Sequence, residues 1–272
     1  MERFLEGILF NTDQNHFGHI KDITSAFMTR YVGDNIIQDD IFSVIENYAE
    51  AKEMPLEWIR LPIDDNELCA CTFIRGGRIF VMLNTNIPLS KQIFAAAHEL
   101  YHIRCYLEEN DSELERSGSI LNSQTIDDVT TLAEEMEANA FAGLLLAPGE
   151  VMEQQIKIYR INREDFSIDD VLTLMNIFAI PYKAMVLRLM EERIILEEKA
   201  KELLKIPSED ISNRIKVTGK AKRWSLIPKG NESLGSIIEN IMINSENENV
   251  PVDRLKKDLS KLDSIRERYG IE

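Results

Sequence analysis

Apolar positions change their spacing several times along the chain, and each change marks an expected element. Over 39–53, Ile41, Val44, Ile45 and Tyr48 recur on one helical stripe behind the acidic first-turn residues Asp39 and Asp40, and Pro55 ends the helix. An earlier helix is expected over 21–33, whereas Asn11, Asp13, Asn15 and Gly18 break any regular period in 1–20. From 67 onward the pattern turns to strand. Segments 67–75 and 78–84 are rich in apolar and β-branched residues, and only Gly76 and Gly77 separate them. Two glycines there suit a tight turn at positive φ, so the pair reads as a β-hairpin, with 58–61 as a candidate third strand.

Helical spacing returns after Pro88, with Ser90 as the expected N-cap of a helix running to about Leu107. The acidic, serine-rich stretch 108–127 reads as a long loop, of a length that could cover a site. A helix over 127–146 follows, with Ala138, Phe141, Ala142 and Leu145 as its apolar face and Ala147, Pro148 and Gly149 as its stop. Ser167 caps a helix to Phe178. After a turn at 179–181, another helix starts near Tyr182 with Ala184, Leu187 and Leu189 inward, and is expected to continue through Lys205 to the boundary at Pro207. A last helix is expected over 251–268. The pattern predicts an α+β fold, mostly helical, with a small antiparallel sheet or hairpin packed on the helix after Pro88.

That helix carries the candidate chemistry. His98 and His102 share one face, so two imidazoles can meet one tetrahedral zinc, while Glu99 is rotated off their line and can reach a metal-bound water without ligating the metal. The plain alternative is a pair of ordinary histidines on an amphipathic helix. A catalytic metal needs a third protein ligand. The chain has four histidines and none follows His102, so the arrangement with a third histidine downstream is excluded. A carboxylate on the buried side of a helix is costly unless it is paired or metal-bound, and Glu135 sits one turn before Ala138 and Asn139 on that side. Glu135 is therefore the candidate third ligand. Glu134 and Glu137 are placed for solvent or for supporting hydrogen bonds. Tyr101 is the nearest oxyanion donor in sequence, but its helical position turns it away from His98 and His102. His16 and His19, three apart around Gly18, read as surface histidines rather than a metal pair.

Charge narrows the partners. Against 31 basic residues stand 47 acidic ones, a formal charge of −16, and such a chain as a whole repels phosphate backbones. Nucleic-acid binding is not expected; the one stretch that would carry it is 216–229, where Lys216, Lys220, Lys222, Arg223 and Lys229 surround Trp224. The helix pair over 167–190 has a helix-turn-helix outline, but only Lys183 and Arg188 are basic, so it reads as packing. Cys69, Cys71 and Cys105 make no disulfide framework, which points to a reducing, cytoplasmic compartment. The longest apolar run, 140–148, is too short to span a bilayer, and the first residues lack the charge pattern of a signal peptide.

His98-Glu99-Leu100-Tyr101-His102, followed by Glu135-Met136-Glu137-Ala138-Asn139-Ala140-Phe141-Ala142, Leu145, Leu146 and Pro148, resembles the ImmA/IrrE metallopeptidase family over roughly 40–190. Tyr101 stands where that family has glycine, and the segment after 205 has no counterpart in it. The resemblance implies a zincin-like core, a metal held by His98, His102 and Glu135, zinc rather than manganese, and Glu99 as catalytic base. It also implies cleavage of a protein substrate, a helix-turn-helix repressor or antitoxin-like partner, that controls mobile-element, stress or toxin–antitoxin genes. The alternative is a non-catalytic, metal-stabilised regulator or toxin–antitoxin component that acts by protein–protein or DNA binding. The expected organisation is an N-terminal segment over 1–37, a zincin-like domain over 38–160, a helical region over 161–206 and an appendage over 207–272.

Overall fold

Gly76 and Gly77 both take positive φ, 56° and 69°, and the chain reverses there as their residue type predicts. The computed structural model describes residues 5, 7–33, 36–65, 68–109, 113–116, 118–122, 133–246 and 250–270. In these the order is α1 (Leu9–Thr12), α2 (Gln14–Tyr31), α3 (Ile41–Ala51), β1 (Leu56–Leu61), β2 (Leu68–Arg75), β3 (Arg78–Asn84), α4 (Leu89–Glu109), α5 (Glu113–Arg116), β4 (Ser119–Asn122), α6 (Ala133–Leu146) and α7 (Gly149–Ile158). There follow α8 (Ile168–Phe178), α9 (Tyr182–Glu191), α10 (Glu197–Leu204), α11 (Ser208–Thr218), α12 (Lys222–Ser225), α13 (Ile237–Glu246) and α14 (Val252–Tyr269).

The strands lie in the order β1-β3-β2-β4. β2 runs antiparallel to both β3 and β4, whereas β1 runs parallel to β3. The sheet is thus mixed rather than wholly antiparallel. The hairpin returns β3 into the place beside β1, so the candidate strand at 58–61 joins with the opposite sense to the one expected. Pairs Ala70↔Leu83, Thr72↔Val81 and Ile74↔Ile79 bury one face, and α4 packs on β2 and β3. Cys71↔Met82 and Phe73↔Phe80 point the other way, with the phenyl rings stacked 5.2 Å apart.

α4 is buried on nearly every side from Ile93 to Cys105, as a helix through the middle of a core must be. Its start differs from expectation. Leu89 begins the helix, its N–H donating to Leu226 O at 3.0 Å, and Ser90 lies buried in the first turn. The end of β3 is fixed by Asn84. Its side-chain oxygen accepts from the amides of Ile63 (3.1 Å) and Asn86 (2.8 Å), and its nitrogen donates to Leu68 O (2.8 Å).

Three other expectations change. The first long helix is α2, starting at Gln14 instead of 21. Asp13 caps it by accepting from the amide of His16 at 2.9 Å, and burial of Phe17, Ile20, Thr24 and Phe27 outweighs the roughly 1 kcal/mol penalty of an internal glycine at Gly18. The stretch 108–127 contains α5 and β4 among its described residues, and 110–112, 117 and 123–127 lie outside them, as do 127–132 of the following helix. β4 forms because Gly118, at φ 72°, lets the chain press against β2: a Cβ there would sit 2.9 Å from Thr72 O. Finally, the helix from Tyr182 stops at Glu191. The amides of Ile194 and Ile195 turn back to Leu189 O, which buries both isoleucines, and α10 begins afresh. Leu187 is only half-buried.

α8 and α9 meet at 99°, with a complete capping box at Ser167 and Asp170. Both are buried against the same core as α2–α6. No single described helix is long and apolar enough to cross a membrane. The C-terminal segment reaches back across the sheet. Arg60 and Ser233 exchange two backbone hydrogen bonds (2.7 and 2.9 Å), and Glu57 accepts from the Ser236 amide (2.9 Å) and hydroxyl (2.5 Å). Leu234 and Leu262, with Ile237, Ile238, Ile241 and Ile265 beside them, cover Ile59, Leu61 and Met82.

Candidate metal centre

α6 lies against α4 so that its acidic first turn meets the histidine face. Each imidazole is oriented from behind. His98 Nδ1 is 3.0 Å from Asn139 Oδ1, and His102 Nδ1 is 2.8 Å from Glu134 Oε1. Both acceptors are oxygens if Asn139 is placed as assigned, so each ring carries its proton on Nδ1 and turns the Nε2 lone pair inward. The two Nε2 atoms are 3.2 Å apart. Glu135 closes the group, with Oε2 3.2 Å from His98 Nε2 and Oε1 3.5 Å from His102 Nε2.

These separations can be compared with those a metal requires. Ligands at about 2.0–2.1 Å in tetrahedral array stand about 3.3 Å from one another. The two ring nitrogens stand 3.2 Å apart, Glu135 turns one oxygen toward each ring at 3.2 and 3.5 Å, and its Oε2 is buried without a hydrogen bond among the described residues. The donor set and its spacing fit a first-row divalent cation, and His98, His102 and Glu135 are the one such group among the described residues.

The protonation pattern agrees. Burial pushes the His102 imidazole down, but the carboxylates of Glu134 and Glu135 outweigh it and hold the ring up at about 10. Burial opposes the charged form of Glu135, yet the close His102 and His98 rings hold its carboxyl far below the usual range. Glu134 is lowered by its bond to His102. A proton on His102 thus does what a cation would do, and the two compete for the same place.

Glu99 is completely buried next to His98. Its Oε2 accepts a short hydrogen bond from the Ser119 hydroxyl on β4, and its Oε1 has no partner among the described residues. The carboxylate is felt by Cys71, whose thiol is raised to about 11 by burial and then by Glu99. One oxygen is therefore anchored and the other is free to take a proton.

The remaining expected residues fall as follows. Tyr101 is turned away from the histidine face, and its hydroxyl donates to Glu137 Oε2 at 2.5 Å. Glu134 and Glu137 supply supporting contacts, as their positions suggested. His16 is half-buried with Nε2 2.8 Å from Glu137 Oε1, and His19 is exposed; neither joins the group of three. Two residues escaped the sequence reading. Asn139 could have been found, because it lies one helical turn beyond Glu135. Ser119 could not, because nothing in a four-residue strand marks it.

A family model described as the IrrE N-terminal-like domain, Peptidase_M78, matches residues 53–190. The chain belongs to that metallopeptidase family. The matched span starts just before β1 and ends in α9, so it contains the sheet, the histidine helix and the whole of α6. For this member of the IrrE N-terminal-like family, α1, α2, α3 and everything from α10 onward lie outside the matched span. A search among curated proteins returned no match to the chain.

Proposed function

We propose that the chain is a metal-dependent endopeptidase in which His98, His102 and Glu135 hold the ion and Glu99 is the general base. The observation that carries this is the pairing of a buried group of three ligand-bearing side chains, close enough to share one ion, with a buried carboxylate that has one oxygen anchored and the other without a partner among the described residues. Bound there, the metal would supply Lewis acidity toward a peptide carbonyl and acidify a water. Glu99 Oε1 accepts the proton of the attacking water and passes it to the departing amine, while Ser119 keeps Oε2 from turning toward the ligand group. Asn139 and Glu134 keep both rings facing inward throughout. Two imidazoles and a carboxylate favour zinc over manganese.

The substrate we propose is a protein, a helix-turn-helix repressor or antitoxin-like partner whose removal switches on genes, and the setting is cytoplasmic, in keeping with three cysteines that form no disulfide. DNA binding by the chain itself is less well supported. Arg188 is buried against Glu191, Glu192 and Ala147 O, Lys220 donates to Asp169 O, and Arg223 pairs with Asp39. Arg188 and Arg223 thus answer acidic neighbours of their own chain.

The test compares cells that express the wild type with cells that express Glu99→Gln, with protein termini profiled by mass spectrometry. New termini from one or a few proteins are expected with the wild type alone, while the purified variant keeps its metal. The same termini from both, or from neither, would overturn the reading.

A further inference from the structure

Glu135 and Glu137 lie two residues apart on α6, about 200° around the helix axis, so they occupy opposite flanks of the face that meets α4. On one flank Glu135 and Asn139 meet the histidines. On the other, the Tyr101 hydroxyl donates to Glu137 Oε2 at 2.5 Å, and His16 Nε2 of α2 lies 2.8 Å from Glu137 Oε1. Tyr101 is 3 % exposed, its ring 5.5 Å from that of Phe141 on α6 and 5.4 Å below the Arg104 guanidinium. Glu137 is thereby the meeting point of three helices.

A helix held along one flank can still roll about its axis, and roll is the motion that would carry the Glu135 carboxylate out of reach of two fixed imidazoles. Contacts on both flanks remove it. We propose that Tyr101, acting through Glu137, is a positioning residue that fixes the roll of α6 and so sets the third metal ligand. The inference rests on the metal site put forward under the proposed function. It gives a role to Tyr101 and Glu137, neither of which is one of the three candidate ligands.

The experiment measures zinc affinity of the full chain by competition with a chromophoric chelator, well below the unfolding temperature. Tyr101→Phe and Glu137→Ala are each expected to weaken zinc binding at least about tenfold, the scale on which ligand-supporting groups act. Cobalt(II) in place of zinc should show altered d–d absorption in Tyr101→Phe, reporting changed ligand geometry. Leu145→Val removes packing from the same helix without touching the latch; it should lower the Tm and keep wild-type affinity. Tyr101→Phe binding zinc as tightly as the wild type overturns the proposal. So does Leu145→Val weakening zinc by the same factor, since the effect would then follow stability alone. A wild-type chain that takes up no zinc overturns the metal reading beneath it as well, so the two failures are distinct.

Discussion

The seam between α4 and α6 and the seat of α13 and α14 on the outer sheet face are built on opposite plans. At the seam His98, Glu99 and His102 are almost wholly buried, and behind each stands a polar partner: Asn139, Ser119 and Glu134. At the seat the buried residues are Leu61, Leu234 and Leu262, with one carboxylate clasp at Glu57. The helices there leave Met242, Ile243, Val252 and Leu259 substantially exposed. Burying charged and polar groups is unfavourable unless they are matched, so a protein concentrates them where chemistry needs them. A covering element needs only apolar contact. The contrast separates a seam built around matched polar groups from a seat built on apolar contact.

The largest effect should come from breaking the seam at its centre. His98→Ala removes one inward nitrogen and leaves Asn139 and Glu135 facing a space that held an imidazole. Zinc uptake, read by metal analysis of the dialysed protein, is expected to disappear together with the new protein termini. Full zinc occupancy in that variant would mean that the ion sits elsewhere.

A smaller change should follow at Ser119. Its hydroxyl bonds to a buried carboxylate, an interaction worth about 1.5–3 kcal/mol. Ser119→Ala is expected to lower kcat about tenfold on a peptide spanning the identified cleavage site, with KM and zinc content unchanged. Ser119→Thr, which keeps the hydroxyl, should recover most of the loss. If the Ala variant cleaves at the wild-type rate, the anchoring of Glu99 Oε2 has no catalytic consequence.

The smallest effect is expected at the seat. Burial pushes the Glu57 carboxyl up, but the Ser236 hydroxyl and amide and then Arg78 hold it below its ordinary value. Because the folded-state value is lowered, the stabilisation from this clasp is present above the ordinary carboxylate range and fades as pH falls through the lowered value. Hydrogen exchange over 237–269, corrected for its intrinsic pH dependence, should therefore quicken in acid. Glu57→Ala should show the quick exchange already at neutral pH, with zinc binding unaffected. Loss of zinc binding in Glu57→Ala would show that seat and seam are coupled.

The same contrast governs how much the sequence discloses. The hairpin was legible because Gly76 and Gly77 carry a turn that few other residues allow, and the seam because His98, His102 and Glu135 are costly to bury without a purpose. The strand at 58–61 was legible as a strand but not in its sense, since pairing partner and direction depend on how the hairpin folds over it. Contacts that rest on position were harder to see. β4 is four residues long and owes its place to the clearance that Gly118 gives against Thr72 O. α2 begins seven residues before the expected start because one aspartate cap and four buried side chains override a glycine. The break after Glu191 depends on the Ile194 and Ile195 amides turning back to Leu189 O so that both side chains enter the core, a tertiary preference that no proline or glycine in 190–197 announces.

X-ray absorption at the zinc edge of the loaded, full-length protein tests the central claim most directly. The account predicts two imidazole nitrogens and one carboxylate oxygen at about 2.0–2.1 Å, completed by a light atom and with no sulfur. The Glu135→Gln variant should lose that signature. A shell containing sulfur from Cys69, Cys71 or Cys105, or an unchanged spectrum in Glu135→Gln, would contradict it.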